Sequence, residues 1–244
     1  MIIPFSKITT VLVLFAASFA SAAAKESANG IKFNGQGMDV AIEFYSPTIV
    51  RVYKTPDNSK AEKNSLAVIM KPENVNVRQS VSNGNVVLAS DSLDVVVNKS
   101  TGGIVFKDKR GSVLLRDKDH GTQFSDFNDA GTPSYNVRQA FLLDKDEVIY
   151  GLGQQQTGKV NQRNQKLFLR NQNMHICIPF IHSVKGYGLY WDNYSPTTFN
   201  DNRQEMSFDS EVGDCADYYF IYGGNADGVI AGVRKLTGQA PMYP

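Results

Sequence analysis

From residue 30 onward the chain repeats one pattern: short runs of alternating or wholly apolar positions, each closed by Gly, Asn, Asp or Pro. In the first half these are MDVAIEFY (38–45), TIVRVYK (48–54), NVVLA (85–89), LDVVVN (93–98) and GIVFKD (103–108). VRQAFLL (137–143), QKLFLR (165–170), HICIPFI (175–181), YGLYWDN (187–193) and DYYFIYG (217–223) continue the pattern in the second half. Alternation with period 2 sends successive side chains to opposite faces, and Val, Ile, Tyr, Phe and Thr favour extended backbone. Each run is therefore expected to be a strand. Turn chemistry separates them at Ser82-Asn83-Gly84, Ser100-Thr101-Gly102-Gly103 and Lys109-Arg110-Gly111. No helical period intervenes between strands, which predicts an all-β fold, a large antiparallel β-sandwich rather than a βαβ array. A single helix is expected near the C-terminal end. Asn225 caps it, Asp227 sits in its first turn, Val229, Ile230, Val233 and Leu236 form one apolar stripe, and Gly238 stops it. The polar stretch 55–65 (PDNSKAEKNSL) reads as a solvated hairpin tip.

Ahead of this pattern, Lys7 precedes an apolar run from Ile8 to Ala20 and then Ala20-Ser21-Ala22. A basic start, a short apolar stretch and an A-x-A site are the marks of an export signal. The run is shorter than the roughly 20 residues a membrane-spanning helix needs. Residues 1–22 are thus expected to be a signal peptide, removed from a protein that works in the periplasm or outside the cell. No membrane association is expected after cleavage.

Lys and Arg number 25 against 24 Asp and Glu, with no run of either sign. A nucleic-acid backbone calls for a clustered cationic face, so no such partner is expected. Cys177 and Cys215 both lie in apolar, strand-like surroundings. They could pair in an oxidising compartment, or each could serve as a small buried hydrophobe. His120, His175 and His182 are scattered, so no metal site is legible and no cofactor is expected.

Few residues carry obvious chemistry. Gly151-Leu152-Gly153 lacks the third glycine and following helix of a phosphate loop, and reads as a tight turn after a strand at 147–150. Asp117, Asp119, Asp126, Asp129, Asp144 and Asp146 read as turn residues, so no carboxylate pair for glycoside cleavage stands out. One polar stretch does: Arg170-Asn171-Gln172-Asn173-Met174-His175, set between two apolar runs. Its amide and imidazole groups both donate and accept hydrogen bonds, as sugar hydroxyls require. An ordinary loop would have a similar composition.

Four segments then carry a resemblance: IYGLGQQQTGKV (149–160), LRNQNMHICIPFIHSVKGYGLYWDNYSPTTF (169–199), DYYFIYG (217–223) and LTGQAPMYP (236–244). In order and spacing they resemble the N-terminal β-sandwich of glycoside hydrolase family 31, a family of α-glucosidases, α-xylosidases and related transglycosylases. Residues 30–145 match only in general character. The resemblance implies a galactose-mutarotase-like sandwich over 23–238 and, at 239–244, the start of a linker to a (β/α)8 catalytic barrel. It also implies that the barrel carries the catalytic aspartates, so this chain has no catalytic residue and is inactive alone. Where the family has Gly-Leu-Gly-Glu, this chain has Gln154. A loop of the family's sandwich helps form the leaving-group subsite, and the matching positions here are Asn171, Gln172, Asn173 and His175. The implied partners are an α-linked oligosaccharide and the barrel of the same polypeptide.

Two other readings compete. A stand-alone carbohydrate-binding module would need an exposed aromatic platform, whereas the only tryptophan, Trp191, lies in a run expected to be buried. An aldose epimerase would need His175, His182 and Glu205 poised across one sugar.

Overall fold

The computed structural model describes residues 25–27, 29–57, 59 and 63–242; the expected signal peptide at 1–22 and the final Tyr243-Pro244 lie outside them. In chain order the first elements are β1 (Lys25–Ser27), β2 (Gly30–Gly35), β3 (Met38–Ser46), β4 (Ile49–Pro56), β5 (Arg78–Ser82) and β6 (Asn85–Ala89). Next come β7 (Leu93–Asn98), β8 (Gly103–Asp108), β9 (Val113–Asp129), β10 (Thr132–Leu142), β11 (Ile149–Gln154) and β12 (Lys166–Leu169). The last are β13 (Ile176–Ser183), β14 (Tyr187–Trp191), β15 (Thr197–Asp201), β16 (Met206–Gly213), β17 (Ala216–Tyr222) and α1 (Ala226–Thr237).

The strands form two antiparallel sheets. One has the order β1-β2-β3-β4-β17-β14-β13-β11, the other β12-β15-β16-β10-β9-β8-β7-β6-β5. Alternation explains the burial: in β7 Leu93, Val95 and Val97 are fully buried while the residues between them are not. The inner faces interlock through aromatic pairs. Phe106 of β8 stacks on Phe220 of β17 at 4.1 Å, and Trp191 of β14 stacks on Phe208 of β16 at 5.8 Å. Trp191 is fully buried, with its indole N–H donated to Ser210. It offers no platform to a ligand.

One polar group set crosses this core. Lys54 of β4 donates to Asp117 of β9 at 2.8 Å, and to Thr122 and Gln139 at 3.0 Å each. Tyr218 donates to the same carboxylate at 2.7 Å. Asp117 is thus a core residue, not a turn residue. Asp119, Asp126 and Asp129 also belong to β9, whose 17 residues the charged sequence did not suggest. Only Asp144 and Asp146 lie between strands as expected.

The outer face of the first sheet is partly covered. Asn225 caps α1 by accepting from the Gly228 N–H, and Gly238 ends it with φ +95°. Val229 and Leu236 are buried against Ile221, Tyr219 and Phe180, and Val233 packs beside them. Ile230 is a correction: it is 50 % exposed, so the buried stripe omits it. The segment after β4 is another. It is no hairpin tip, because β4 and β5 belong to different sheets. It carries Lys63 to Asp192 and Asp217, and Val68 and Met70 to the helix.

Candidate functional site

Residues 170–175 carry the chain from β12, in one sheet, to β13, in the other. The loop is a tight turn of its own. Gln172 and His175 exchange backbone hydrogen bonds, with Asn173 and Met174 at the tip and Met174 at φ +66°. Asn171 pins the base by accepting the Cys177 N–H at 2.7 Å. Arg170 donates to the Gln172 side-chain oxygen at 2.7 Å while its guanidinium lies 5.7 Å from the Phe168 ring.

The Gly-Leu-Gly motif shapes the neighbouring strand. Residues 151–153 are not a turn after a strand but a kink inside β11, with φ of +121°, +67° and +80°. The kink shifts the β11–β13 register between Gly151 and Gly153. A Cβ on Gly153 would stand 2.0 Å from the Ile176 carbonyl, so the close approach requires glycine. Beyond the kink Gln155 faces the loop, its oxygen 3.3 Å from His175 Nδ1 and its amide donating to the Leu152 carbonyl at 3.0 Å. Gln154 is exposed and paired with Ile176.

A cleft of about 440 Å³ opens beside the loop, with Arg170, Asn171, Cys177, Pro179, Tyr190 and Tyr194 among its walls. Of the four expected sugar-contacting residues only Asn171 lines it. Gln172 and Asn173 are exposed next to it and His175 is half-buried. Loop and cleft together present side-chain amides, an imidazole, a guanidinium and two tyrosine rings. Such a surface can hydrogen-bond neutral hydroxyls and pack against a pyranose face, and it holds no pair of carboxylates for glycosidic cleavage. Sequence reasoning placed Arg170 in this polar stretch but missed Gln155, Tyr190 and Tyr194 as neighbours of the site. Only the adjacency of Gln155 to the Gly-Leu-Gly motif offered a signal.

The epimerase constellation does not assemble. His182 stacks on Tyr150 of the first sheet, and burial lowers its pKa. Glu205 instead binds Lys118 and Arg138 on strands of the second sheet. Cys177 and Cys215 are both free thiols. Burial of Cys215, with Asp217 nearby, pushes its pKa up to about 11, and each cysteine serves as a small packed hydrophobe.

Comparison with known proteins follows the same lines. Residues 39–200 match the family model of the glycosyl hydrolase 31 N-terminal galactose mutarotase-like domain. An α-xylosidase of Saccharolobus solfataricus is 36 % identical over 217 residues, covering 85 % of this chain and 29 % of the relative. Alpha-glucosidase 2 of Bacillus thermoamyloliquefaciens is 26 % identical over 221 residues, covering 84 % and 27 % respectively. The chain therefore spans less than a third of the length of these relatives. Among solved structures, a family 31 α-xylosidase from Xanthomonas citri superposes with a TM-score of 0.85 at 18 % identity, over 90 % of this chain and 41 % of that one. A family 31 dextranase from Flavobacterium johnsoniae, complexed with glucose, gives 0.76 at 24 % identity, over 91 % and 28 %. Both share the fold.

Proposed function

The chain belongs to the glycosyl hydrolase 31 N-terminal galactose mutarotase-like domain family, and on that footing we propose that it is the substrate-positioning domain of an exported α-glycosidase. In this reading the polypeptide hydrolyses α-linked glucosides or xylosides with carboxylates carried outside this domain. Residues 1–22 direct export, residues 239–244 begin the link to a catalytic barrel, and the domain alone is inactive. The loop at 170–175 contacts the leaving-group sugar. One observation carries the assignment: Asn171, Gln172, Asn173 and His175 sit on one tight turn, on which the Asn171, Gln172 and His175 side chains are held by hydrogen bonds to Cys177, Arg170 and Gln155. Side chains held in place in this way bind hydroxyls with less ordering entropy to lose.

The test is alanine substitution at each of the four positions in the full-length polypeptide, comparing kcat/KM on a disaccharide and on an aryl glycoside. Losing one neutral hydrogen bond removes about 0.5–1.5 kcal/mol, a few-fold to roughly tenfold in kcat/KM. The loss is expected on the disaccharide, whose second sugar reaches the loop, and not on the aryl glycoside. Equal losses on both substrates, or none at any position, would refute the assignment.

A further inference from the structure

Asparagine is followed by glycine at Asn29-Gly30, Asn34-Gly35 and Asn83-Gly84, and the fold treats these steps differently. We propose that Asn83, at the tip of the β5–β6 hairpin, is a site of spontaneous covalent modification. Its side-chain amide is lost through a cyclic imide, with water as the co-reactant, leaving aspartate or isoaspartate.

The step is intramolecular and balances without an oxidant or reductant. The Gly84 backbone nitrogen gives up its proton to base and bonds to Asn83 Cγ. The Cγ–Nδ2 bond breaks, and the amide leaves as ammonia with that proton. Water then opens the five-membered imide. Cleavage between Cγ and the nitrogen gives aspartate. Cleavage between the Asn83 backbone carbonyl carbon and the nitrogen gives isoaspartate, with the chain rerouted through Cβ and Cγ. Glycine is the successor that hinders this attack least, because it carries no Cβ beside the nitrogen and its backbone turns freely.

The structure selects one step. The last ladder pair of the hairpin is Ser82 with Asn85, so Asn83 and Gly84 form a two-residue tip with φ of +50° and +76°. Both are exposed, and a Cβ on Gly84 would meet no atom within 4 Å. The Asn83 side chain has no hydrogen-bond partner among the described residues. Strand β5 is exposed along its length and pairs only with β6, so the tip can open locally and bring nitrogen and Cγ together.

The other two steps are held. Asn29 donates to the Glu73 carbonyl and accepts the Val75 N–H at 3.2 Å, while Gly30 is paired with Ser27 and Glu43. A Cβ on Gly30 would stand 1.9 Å from the Ile42 carbonyl. Asn34 donates to Asp39 at 3.0 Å and to Asp57. Gly35 is paired with Met38, and a Cβ there would stand 2.6 Å from the Lys99 carbonyl. At both steps the side chain is tied and the glycine sits in a packed strand, so neither rotates into the geometry of attack.

The product alters the sheet edge. A neutral amide becomes a carboxylate, and isoaspartate adds a methylene to the main chain of the tight turn, which loosens β5 from β6. Strands β5 and β12 are opposite edges of the second sheet, so the loop at 170–175, which follows β12, is left in place.

The test is peptide mapping by mass spectrometry of the complete chain, incubated folded and in denaturant, at pH 6 and at pH 8. In the folded chain a one-dalton gain is expected at Asn83 alone among the three steps, faster at pH 8 because the attacking nitrogen must lose its proton. In denaturant Asn29 and Asn34 should gain it too, at rates within a few-fold of Asn83. Gly84→Ala, which fits the open tip, should slow the reaction several-fold, and Asn83→Gln should abolish it at this position. Equal gains at Asn29 or Asn34 in the folded chain would overturn the proposal, because the fold would then not select the site. An Asn83 that stays intact in the folded chain, or an unchanged rate in Gly84→Ala, would overturn it as well.

Discussion

Replacing Lys54 by Met tests whether the polar cluster between the sheets holds the fold together as its geometry implies. Lys54 is 1 % exposed and its three ammonium protons go to Asp117, Thr122 and Gln139. Methionine matches the lysine stem as far as Cε, so the change chiefly removes the ammonium and its charge. It leaves Asp117, whose side chain is fully buried, with Tyr218 as its hydrogen-bond donor. Removing one partner of a buried ion pair typically costs about 3–5 kcal/mol, because the other charge stays desolvated. For a domain of this size each kcal/mol shifts Tm by about 2–4 °C, so a fall of roughly 6–20 °C is expected.

The pH dependence sharpens the test. Burial raises the Asp117 pKa, and it outweighs the attraction of Lys54 and the hydrogen bonds from Lys54 and Tyr218. A carboxyl whose folded pKa is raised binds its proton more readily in the native state. Its contribution to stability is therefore full below the unfolded pKa of about 3.9 and declines as pH rises through the folded value. Loss of Lys54 raises that folded value further, so the Lys54→Met penalty should be smaller at pH 5 than at pH 7. The double variant Lys54→Met/Asp117→Asn should recover part of the loss at pH 7. The assay is chemical denaturation of the wild type, both single variants and the double variant at the two pH values. A Lys54→Met penalty below about 1 kcal/mol, or one independent of pH, would refute this account of the cluster.

Two further changes separate backbone constraint from bulk packing. Gly153→Ala places a Cβ 2.0 Å from the Ile176 carbonyl at φ +80°, whereas Gly84 has similar φ, +76°, with open space around it. Denaturation midpoints should show about 2–4 kcal/mol lost for Gly153→Ala and only about 1 kcal/mol for Gly84→Ala; similar losses at both would mean the kink is not tightly constrained. Asn225→Ala removes the acceptor for the Gly228 N–H at the start of α1 and should cost about 1 kcal/mol, read as a Tm fall of about 2–4 °C.

The fold was legible wherever one strand face is buried and the other is wet. Runs 85–89, 93–98 and 103–108 match β6, β7 and β8 to the residue, because Leu88, Val95 and Phe106 alternate with partly exposed neighbours. The signal failed where burial is incomplete. Strand β5 is exposed along its length, and from His120 onward β9 is mostly exposed and polar. What makes β9 a strand is its register with β10, from Thr132 opposite Asp129 to Leu142 opposite Arg116. Cross-strand pairing of that kind leaves no period to read. Asp117 was misplaced for a related reason: an acid in a charged run looks solvated until Lys54 and Tyr218 arrive from the other sheet.

The site shows the same division between what a chain segment displays and what the fold brings to it. The amides of Asn171, Gln172 and Asn173 are visible in sequence because they are consecutive and chemically alike. The groups that hold them are not. Gln155 reaches His175 only because β11 kinks at Gly151–Gly153, and that kink is set by how closely the Phe180 and Ile176 carbonyls approach. Read alone, two glycines flanking a leucine suggest a turn, since positive φ is the property turns share with bulged strands. In the folded chain β11 continues through the motif, and the unusual backbone serves to place a side chain on the neighbouring loop. Tyr190 enters from β14, within the run 187–193 that reads as a buried strand, and Tyr194 from the segment after it. Sorting them requires knowing that Trp191 points into the core while Tyr190 faces the opposite side, packed beside Tyr219. The loop's chemistry is therefore local, whereas its geometry depends on strands of both sheets, and substitutions at Gly153 should displace Gln155 and with it the loop side chain that Gln155 holds.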